Sequence, residues 1–442
     1  ENVTPPAAGK WMMWNCVETD PFEKGKAYFV GTKYKEDDFA PYIFKTMDYG
    51  KTWAKITSGI AANHFARCIR ADKKRPGLLY CGTEYRMYIS YDDGANWKPF
   101  QLNLPMVPIT DLTIKNNDLI VATQGRAFWV LDDLSVIQQK DNAVLDKDLF
   151  VYAVNDAYRF DGFENVNAKN AGFNPANGTV IKYFLKNIAD SPKVSIDILD
   201  KNKKLIRSFS TTAKEKEDKI DVSKGMNRFV WNMNYAPAEK IEGLILWHGT
   251  VPGPKASPGK YFYKIKAEKD STEGSFTIKE NPVYKLSPQD YEDQFNFLIT
   301  IRDKFSETQK AIKNITAIRK QINDFVDLQG KNIPKEIKQQ ADTINKQMTS
   351  IEEALHQTKA KSGQDVLNYP IRLDDKISGL YDFAASGNSA PAKQVKEAYE
   401  DLSMQADMQL NKLKKIMEDD LPKFNQAIKE KSLPVIGIKK ED

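Results

Sequence analysis

Two short stretches combine residue types that could do chemistry. In KTMDYGKTW the order is Thr46, Asp48, Gly50, Thr52, Trp53; in SYDDGANW it is Ser90, Asp92, Gly94, Asn96, Trp97. A carboxylate set among hydroxyl and amide groups could serve a reaction, or it could hold a turn by accepting backbone N–H groups. The glycines favour the second reading, because they supply positive φ without a Cβ clash. The tryptophans then open the following strand as large apolar anchors. A repeated hairpin staple accounts for the pattern.

Other candidates are scattered. Asp132 and Asp133 could form a carboxylate pair, although a strand-ending turn accounts for them. Asp37 and Asp38 in YKEDDFAPY could bind calcium together with backbone carbonyls; a solvated loop is the favoured reading, and no cofactor is expected. Arg126 follows Gly125 and precedes Phe128 and Trp129, where a sheet-edge arginine could reach a ligand or pair with an acidic turn. Tyr42, Tyr49 and Tyr85 could present an aromatic surface to a carbohydrate or peptide, or pack between sheets. Trp247 and His248 precede a Pro/Gly-rich loop and suggest an interdomain contact. The three histidines, His64, His248 and His356, form no metal-binding spacing. Cys68 and Cys81 lie in neighbouring strand-like runs, so one disulfide is an alternative to isolated buried thiols. No phosphate-binding glycine loop, dinucleotide fingerprint or nucleophile elbow occurs in a fitting context. Short glycosylation sequons occur at Asn2, Asn177 and Asn314.

Composition narrows the class. The chain has 442 residues, with 65 Lys+Arg against 60 Asp+Glu and a net charge of +5. The signs are interspersed, which argues against a nucleic-acid partner. No apolar run is long enough to span a membrane. The first residues, ENVTPPAAGKWMMWNCVE, show no signal-peptide pattern and lead straight into strand-like sequence, as in a mature or cut form.

The positioning elements change character along the chain. All seven Trp lie at or before Trp247. Residues 1–148 read as short strands between Asp/Gly/Asn turns, in sets such as FARCIRA, GLLYCGTEY, RMYISYD and NWKPF. A repeat of about forty residues with four strands per unit predicts β-propeller blades. A ring needs more blades than these, so the stretch predicts a partial propeller. Residues 149–284 alternate polar and apolar and predict a β-sandwich of immunoglobulin or fibronectin type. Residues 285–442 predict an antiparallel helical bundle with a short C-terminal tail. Ser287 is its first N-cap, and Leu298, Ile301, Phe305, Ile312, Ile315, Ile322 and Phe325 form the first apolar stripe.

The two repeated turns resemble the Asp-box, or BNR repeat, of sialidase-like and sortilin-like propellers. The stretch from Tyr88 to Asp133, with GMNRFVW, PGPKASPGKYFYKI and IRDKFSETQKAIKNITAIRKQI, is similar to large exported bacterial proteins labelled glycosyl hydrolase. The resemblance implies that the chain is the C-terminal half of such a protein, completed by an N-terminal propeller portion. It also implies export to the periplasm, outer-membrane surface or extracellular space. In sialidases the Asp-box lies away from the active site, and no arginine triad maps onto this chain, so no catalytic residue carries over. The leading expectation is a binding or scaffold module for a protein or glycan partner. The alternatives are a glycoside hydrolase with its catalytic residues on other blades, and a subunit of a cell-envelope or secretion complex.

Overall fold

The computed structural model describes residues 2–140, 144, 146–159, 174–247 and 251–436. The chain forms two compact units, 1–153 and 154–442.

The first unit holds three antiparallel meanders packed face to face. Sheet one runs β1 (Met13–Thr19), β2 (Ala27–Lys33), β3 (Asp38–Thr46), β4 (Ala54–Lys55). Sheet two runs β5 (Ala66–Ala71), β6 (Leu79–Thr83), β7 (Met87–Ser90), β8 (Lys98–Pro99). Sheet three has β9 (Ile109–Lys115), β10 (Asp118–Thr123) and β11 (Phe128–Leu131) in the order β11-β10-β9; the chain then forms a four-residue helix, α1 (Ser135–Gln138), and a short strand outside this sheet, β12 (Leu149–Val151). The first strands β1, β5 and β9 lie side by side.

Sheet two shows why the strands read as nearly continuous apolar runs. Every residue of β6 and β7 is buried. One face packs on Tyr28, Val30 and Ile43 of sheet one, the other on Ile109, Leu112 and Val121 of sheet three. This alternation corrects the disulfide alternative. Ile69 pairs with Cys81, and Cys68 with Gly82, so the sulfurs enter opposite cores. All three cysteines are free thiols, and burial pushes the thiols of Cys68 and Cys81 up.

One polar network crosses the first interface. The Lys26 ammonium lies 3.0 Å from Asp93 and 3.3 Å from Asp20, and Lys45 reaches Asp93 at 3.1 Å. The Tyr28 hydroxyl donates to Asp93 at 2.5 Å. Burial alone would lower the Lys26 pKa; the hydrogen bond and charge of Asp93, with Asp20, outweigh it and raise it.

The second unit holds two facing sheets and a set of helices. β14 (Thr179–Leu185) pairs with β17 (Gly225–Trp231). The other sheet has the order β13 (Ala157–Tyr158), β19 (Asp270–Lys279), β18 (Gly259–Ala267), β15 (Val194–Leu199), β16 (Leu205–Ser210). Aromatic pairs bridge them: Phe209 to Phe229 at 4.8 Å, and Trp231 to Tyr261 and Phe276 at 5.8 and 6.0 Å.

The helices are α2 (Pro288–Gln329), α3 (Lys335–Leu355), α4 (Leu373–Ala385), α5 (Lys393–Lys415) and α6 (Leu421–Glu430). Ser287 and Asp290 form a reciprocal capping box at the start of α2. The stripe from Leu298 to Phe325 is buried. A π turn, Ile416–Asp420, joins α5 to α6. Its wider turn rotates the apolar face, so Ile416 is buried and Met417, four residues after the buried Leu413 and in line with it at regular helical spacing, is exposed. Among the described residues, no helix is long and apolar enough to cross a membrane.

Asp93→Ala leaves the Lys26 charge with Asp20 and Glu23 alone. The variant should lose about 2–3 kcal/mol, below the range for a fully buried pair because Asp93 is partly exposed. Urea denaturation of the full chain measures it; a loss under about 0.5 kcal/mol, the size of an ordinary surface change, would show that the network does not hold the sheets.

Candidate functional site

The repeated turns have one hydrogen-bond scheme. In the first, Asp48 Oδ1 accepts from Thr52 N at 2.8 Å and from Thr46 Oγ1 at 2.9 Å. Thr46 Oγ1 in turn accepts from Gly50 N at 2.9 Å. In the second, Asp92 Oδ1 accepts from Asn96 N and Ser90 Oγ, both at 2.8 Å, and Ser90 Oγ accepts from Gly94 N at 2.9 Å. Gly50 and Gly94 have φ of 85° and 82°. A Cβ on Gly94 would lie 2.5 Å from the Ile56 side chain. The carboxylates are saturated by the turn, and these bonds hold the Asp48 and Asp92 pKa values low, for Asp92 against the opposing effect of burial.

The indoles do more than anchor a hairpin. Trp97 Nε1 donates to the Ile56 carbonyl at 2.8 Å, joining sheet two to the end of sheet one. Trp53 Nε1 donates to the Val3 carbonyl at 2.9 Å. A third turn of related geometry carries no glycine. Leu134 N donates to Asn117 O at 2.8 Å, as Tyr49 N does to Gly25 O and Asp93 N to Gly77 O. There the positive φ falls on Asp133, at 54°, and the chain enters α1 without forming a fourth strand.

The meander topology sorts the remaining candidates. Tyr49 lies in the β3–β4 turn, at one end of the sheets, and is exposed. Tyr85 lies in the β6–β7 turn and Arg126 in the β10–β11 turn, both at the opposite end. Arg126 is exposed and donates to the Gly125 carbonyl at 2.9 Å. Tyr42 is half-buried in β3, with Lys55 and Lys33 at 4.2 and 5.5 Å from its ring. Its hydroxyl donates to Asp38 at 2.5 Å; that bond raises the Tyr42 pKa to about 12 and lowers that of Asp38. Asp38 also accepts from Ala40 N, so this carboxylate is engaged at the start of β3. Among the described residues there is no group of three or more metal-ligating side chains. Asp133 accepts from Ser135 N and Asn117 Nδ2. Trp247 N donates to Asp375, within the second unit, and His248 lies outside the described residues.

Around Tyr85 the structure assembles a surface that single-residue reasoning missed. Tyr34, just after β2, stacks on Phe65 at 5.3 Å, and Phe39 flanks Phe65 at 6.2 Å. His64 lies 4.8 Å from Tyr85, and its Nδ1 is 2.8 Å from the Tyr88 hydroxyl. Arg67, 5.3 Å from the Phe65 ring, pairs with Glu84 at 2.5 Å. Phe39 and Tyr85 remain 45% and 43% exposed. Rings from sheets one and two thus form one aromatic patch with the polarity of a half-buried ion pair beside it. The signal in the sequence was the aromatic content of the strand-linking segments, YKEDDFAPY and NHFARC, which carry no internal period.

A cavity of about 430 Å3 in the second unit is lined by Arg159, Asn232, Asn234, Gln294, Tyr381 and Asn388. Its polar groups are spent on the fold: Arg159 Nε donates to Ala256 O at 3.0 Å, and Gln294 Nε2 to Ala384 O at 3.0 Å.

No family model matches the chain, and no curated protein matches it. Among solved structures, a match to YCF48 from Cyanidioschyzon merolae has 17% identity, covers 28% of this chain and 41% of that one, and has a TM-score of 0.22. YCF48 bound to D1 peptide matches at 19% identity over 27% of this chain and 37% of that one, with a TM-score of 0.21. A xyloglucanase of glycoside hydrolase family 74 from Xanthomonas campestris matches at 10% identity over 59% of this chain and 38% of that one, with a TM-score of 0.23. The matches span well under half the length of these proteins.

Burial, then the nearby Arg86 charge, lowers the His64 pKa. The folded state therefore binds its proton less readily than the unfolded chain. The His64 contribution to stability is present above the ordinary histidine value and falls away as pH drops through its depressed folded value. An NMR titration should place the His64 midpoint below about 6.5; a midpoint above that value would contradict the neutral ring beside Tyr88.

Proposed function

We propose that this chain is a binding or scaffold protein that presents the aromatic patch of its first unit to a glycan or protein partner. The observation carrying this reading is the joint placement of Tyr34, Phe39, His64, Phe65 and Tyr85, with Phe39 and Tyr85 open to solvent. Exposed aromatic rings stack on the C–H face of a sugar or on an apolar peptide side chain at little entropic cost. The Arg67–Glu84 pair adds a donor and an acceptor for orientation. Strand-borne loops hold such a surface rigid, which suits recognition.

In this reading the first unit consists of Asp-box blades related to sortilin-like propellers, and further blades of the same protein complete the ring. The second unit pairs a sandwich of immunoglobulin or fibronectin type with an antiparallel bundle that acts as spacer and assembly module. The protein is exported and works outside the cytoplasm. The near-identical bonding of the two repeated turns supports the Asp-box assignment; the export assignment rests on the sequence resemblance alone.

Immobilised glycan and peptide panels probed with the full chain test the reading. A captured ligand should bind at least about tenfold more weakly to Phe39→Ala/Tyr85→Ala, whose side chains are exposed and whose melting temperature should hold. Unchanged binding in that variant would move the function away from this surface.

A further inference from the structure

The outer edge of sheet three is built unlike those of its neighbours. β4 is Ala54–Lys55 and β8 is Lys98–Pro99, each two residues long and carrying lysine or proline. Short, charged or proline-bearing edges resist pairing with another chain. β11 is Phe-Trp-Val-Leu, twice as long, with neither charge nor proline. Among the described residues no strand pairs with its outer edge. Phe128 is 77% exposed and Val130 55%.

The backbone of that edge can be assigned. Thr123 N donates to the Ala127 carbonyl at 3.2 Å, and the β10–β11 ladder continues as Ala122 with Phe128, Val121 with Trp129 and Ile120 with Val130. In an antiparallel ladder, mutually bonded pairs alternate. Trp129 and Leu131 therefore bond to β10, and the N–H and C=O groups of Phe128 and Val130 point outward.

The flanks complete the pattern. Arg126 and Asp132 are both exposed, and the Arg126 guanidinium donates to its neighbour's carbonyl. Along the chain the order is Arg126, Ala127, Phe128, Trp129, Val130, Leu131, Asp132. Laid antiparallel against itself about a two-fold axis through Trp129, the segment sets Phe128 against the partner's Val130. It sets Arg126 against the partner's Asp132. Both pairings occur twice, the outward N–H and C=O groups of Phe128 and Val130 meet each other, and the contact is isologous.

We propose that β11 pairs with β11 of a second copy of this chain, joining two third sheets into one continuous sheet closed by two Arg126–Asp132 ion pairs. The contact is small, so the association is weak and concentration-dependent. It is separate from the aromatic patch and does not depend on that assignment.

Sedimentation equilibrium of the full chain over a wide concentration range should show a reversible monomer–dimer equilibrium. Val130→Pro removes an outward N–H without touching the β10 ladder, and should abolish the dimer while keeping the melting temperature. Val130→Lys supplies the same test if proline disturbs the strand. Arg126→Asp and Asp132→Arg should each weaken self-association by about tenfold, and an equimolar mixture of the two should restore it, because the mixed pair is again complementary at both ends. A chain that stays monomeric throughout would overturn the proposal and leave the edge to a different strand. So would a dimer indifferent to the Val130 and charge variants, which would place its interface elsewhere.

Discussion

The Asp93 carboxylate is the point on which the first unit turns. It belongs to the second repeated turn, yet its partners Lys26, Tyr28 and Lys45 come from sheet one. An ammonium as buried as that of Lys26 is tolerable only with nearby anions and full hydrogen bonding. Asp20 supplies the second anion. Because this network needs sheets one and two at a fixed spacing, it sets the register in which Tyr28, Val30 and Ile43 meet Ile69, Leu79 and Cys81. At the opposite end of those sheets, Tyr34 and Phe39 from one meet Phe65, which leads into the other.

The contrast among the three sheets follows from burial. Sheet two is covered on both faces, so its two inner strands carry side chains that are all buried. Sheets one and three have one such face. On the remaining face of sheet one, Trp14, Phe29, Phe44 and Trp53 gather into an aromatic layer with ring separations of 4.6 to 6.0 Å. Sheet three has Ile120, Phe128 and Val130 on a thinner and more exposed layer.

Much of this was legible in the chain itself. Strand runs such as FARCIRA and NDLIVATQG gave their elements because turn residues bound them, and the helical stripes announced themselves through spacings of three and four. The burial of Ile337, Ala341, Ile344, Met348, Ile351 and Leu355 follows directly from that spacing. What remained hidden depended on long-range geometry. No local feature says that the Trp97 indole bonds to a carbonyl forty-one residues earlier. The opposed directions of Cys68 and Cys81 require the strand register, and the face change at Met417 requires the π turn. The aromatic patch joins residues from segments whose only shared property is their end of the sheet. Tyr49, similar in sequence terms to Tyr85, falls at the other end because successive turns of a meander alternate.

The indole joint has a consequence for how such a chain can change over evolutionary time. Trp97 asks its neighbour for a backbone carbonyl alone, and Val3 serves Trp53 as Ile56 serves Trp97. The side chain at the acceptor position need only fit beneath a glycine. A duplicated unit therefore brings its own connector and makes no particular demand on the sequence it lands beside. Copy number could drift by recombination, while the residues that differ between copies, such as Asp93 against Tyr49, are left to record which junctions have since become specialised.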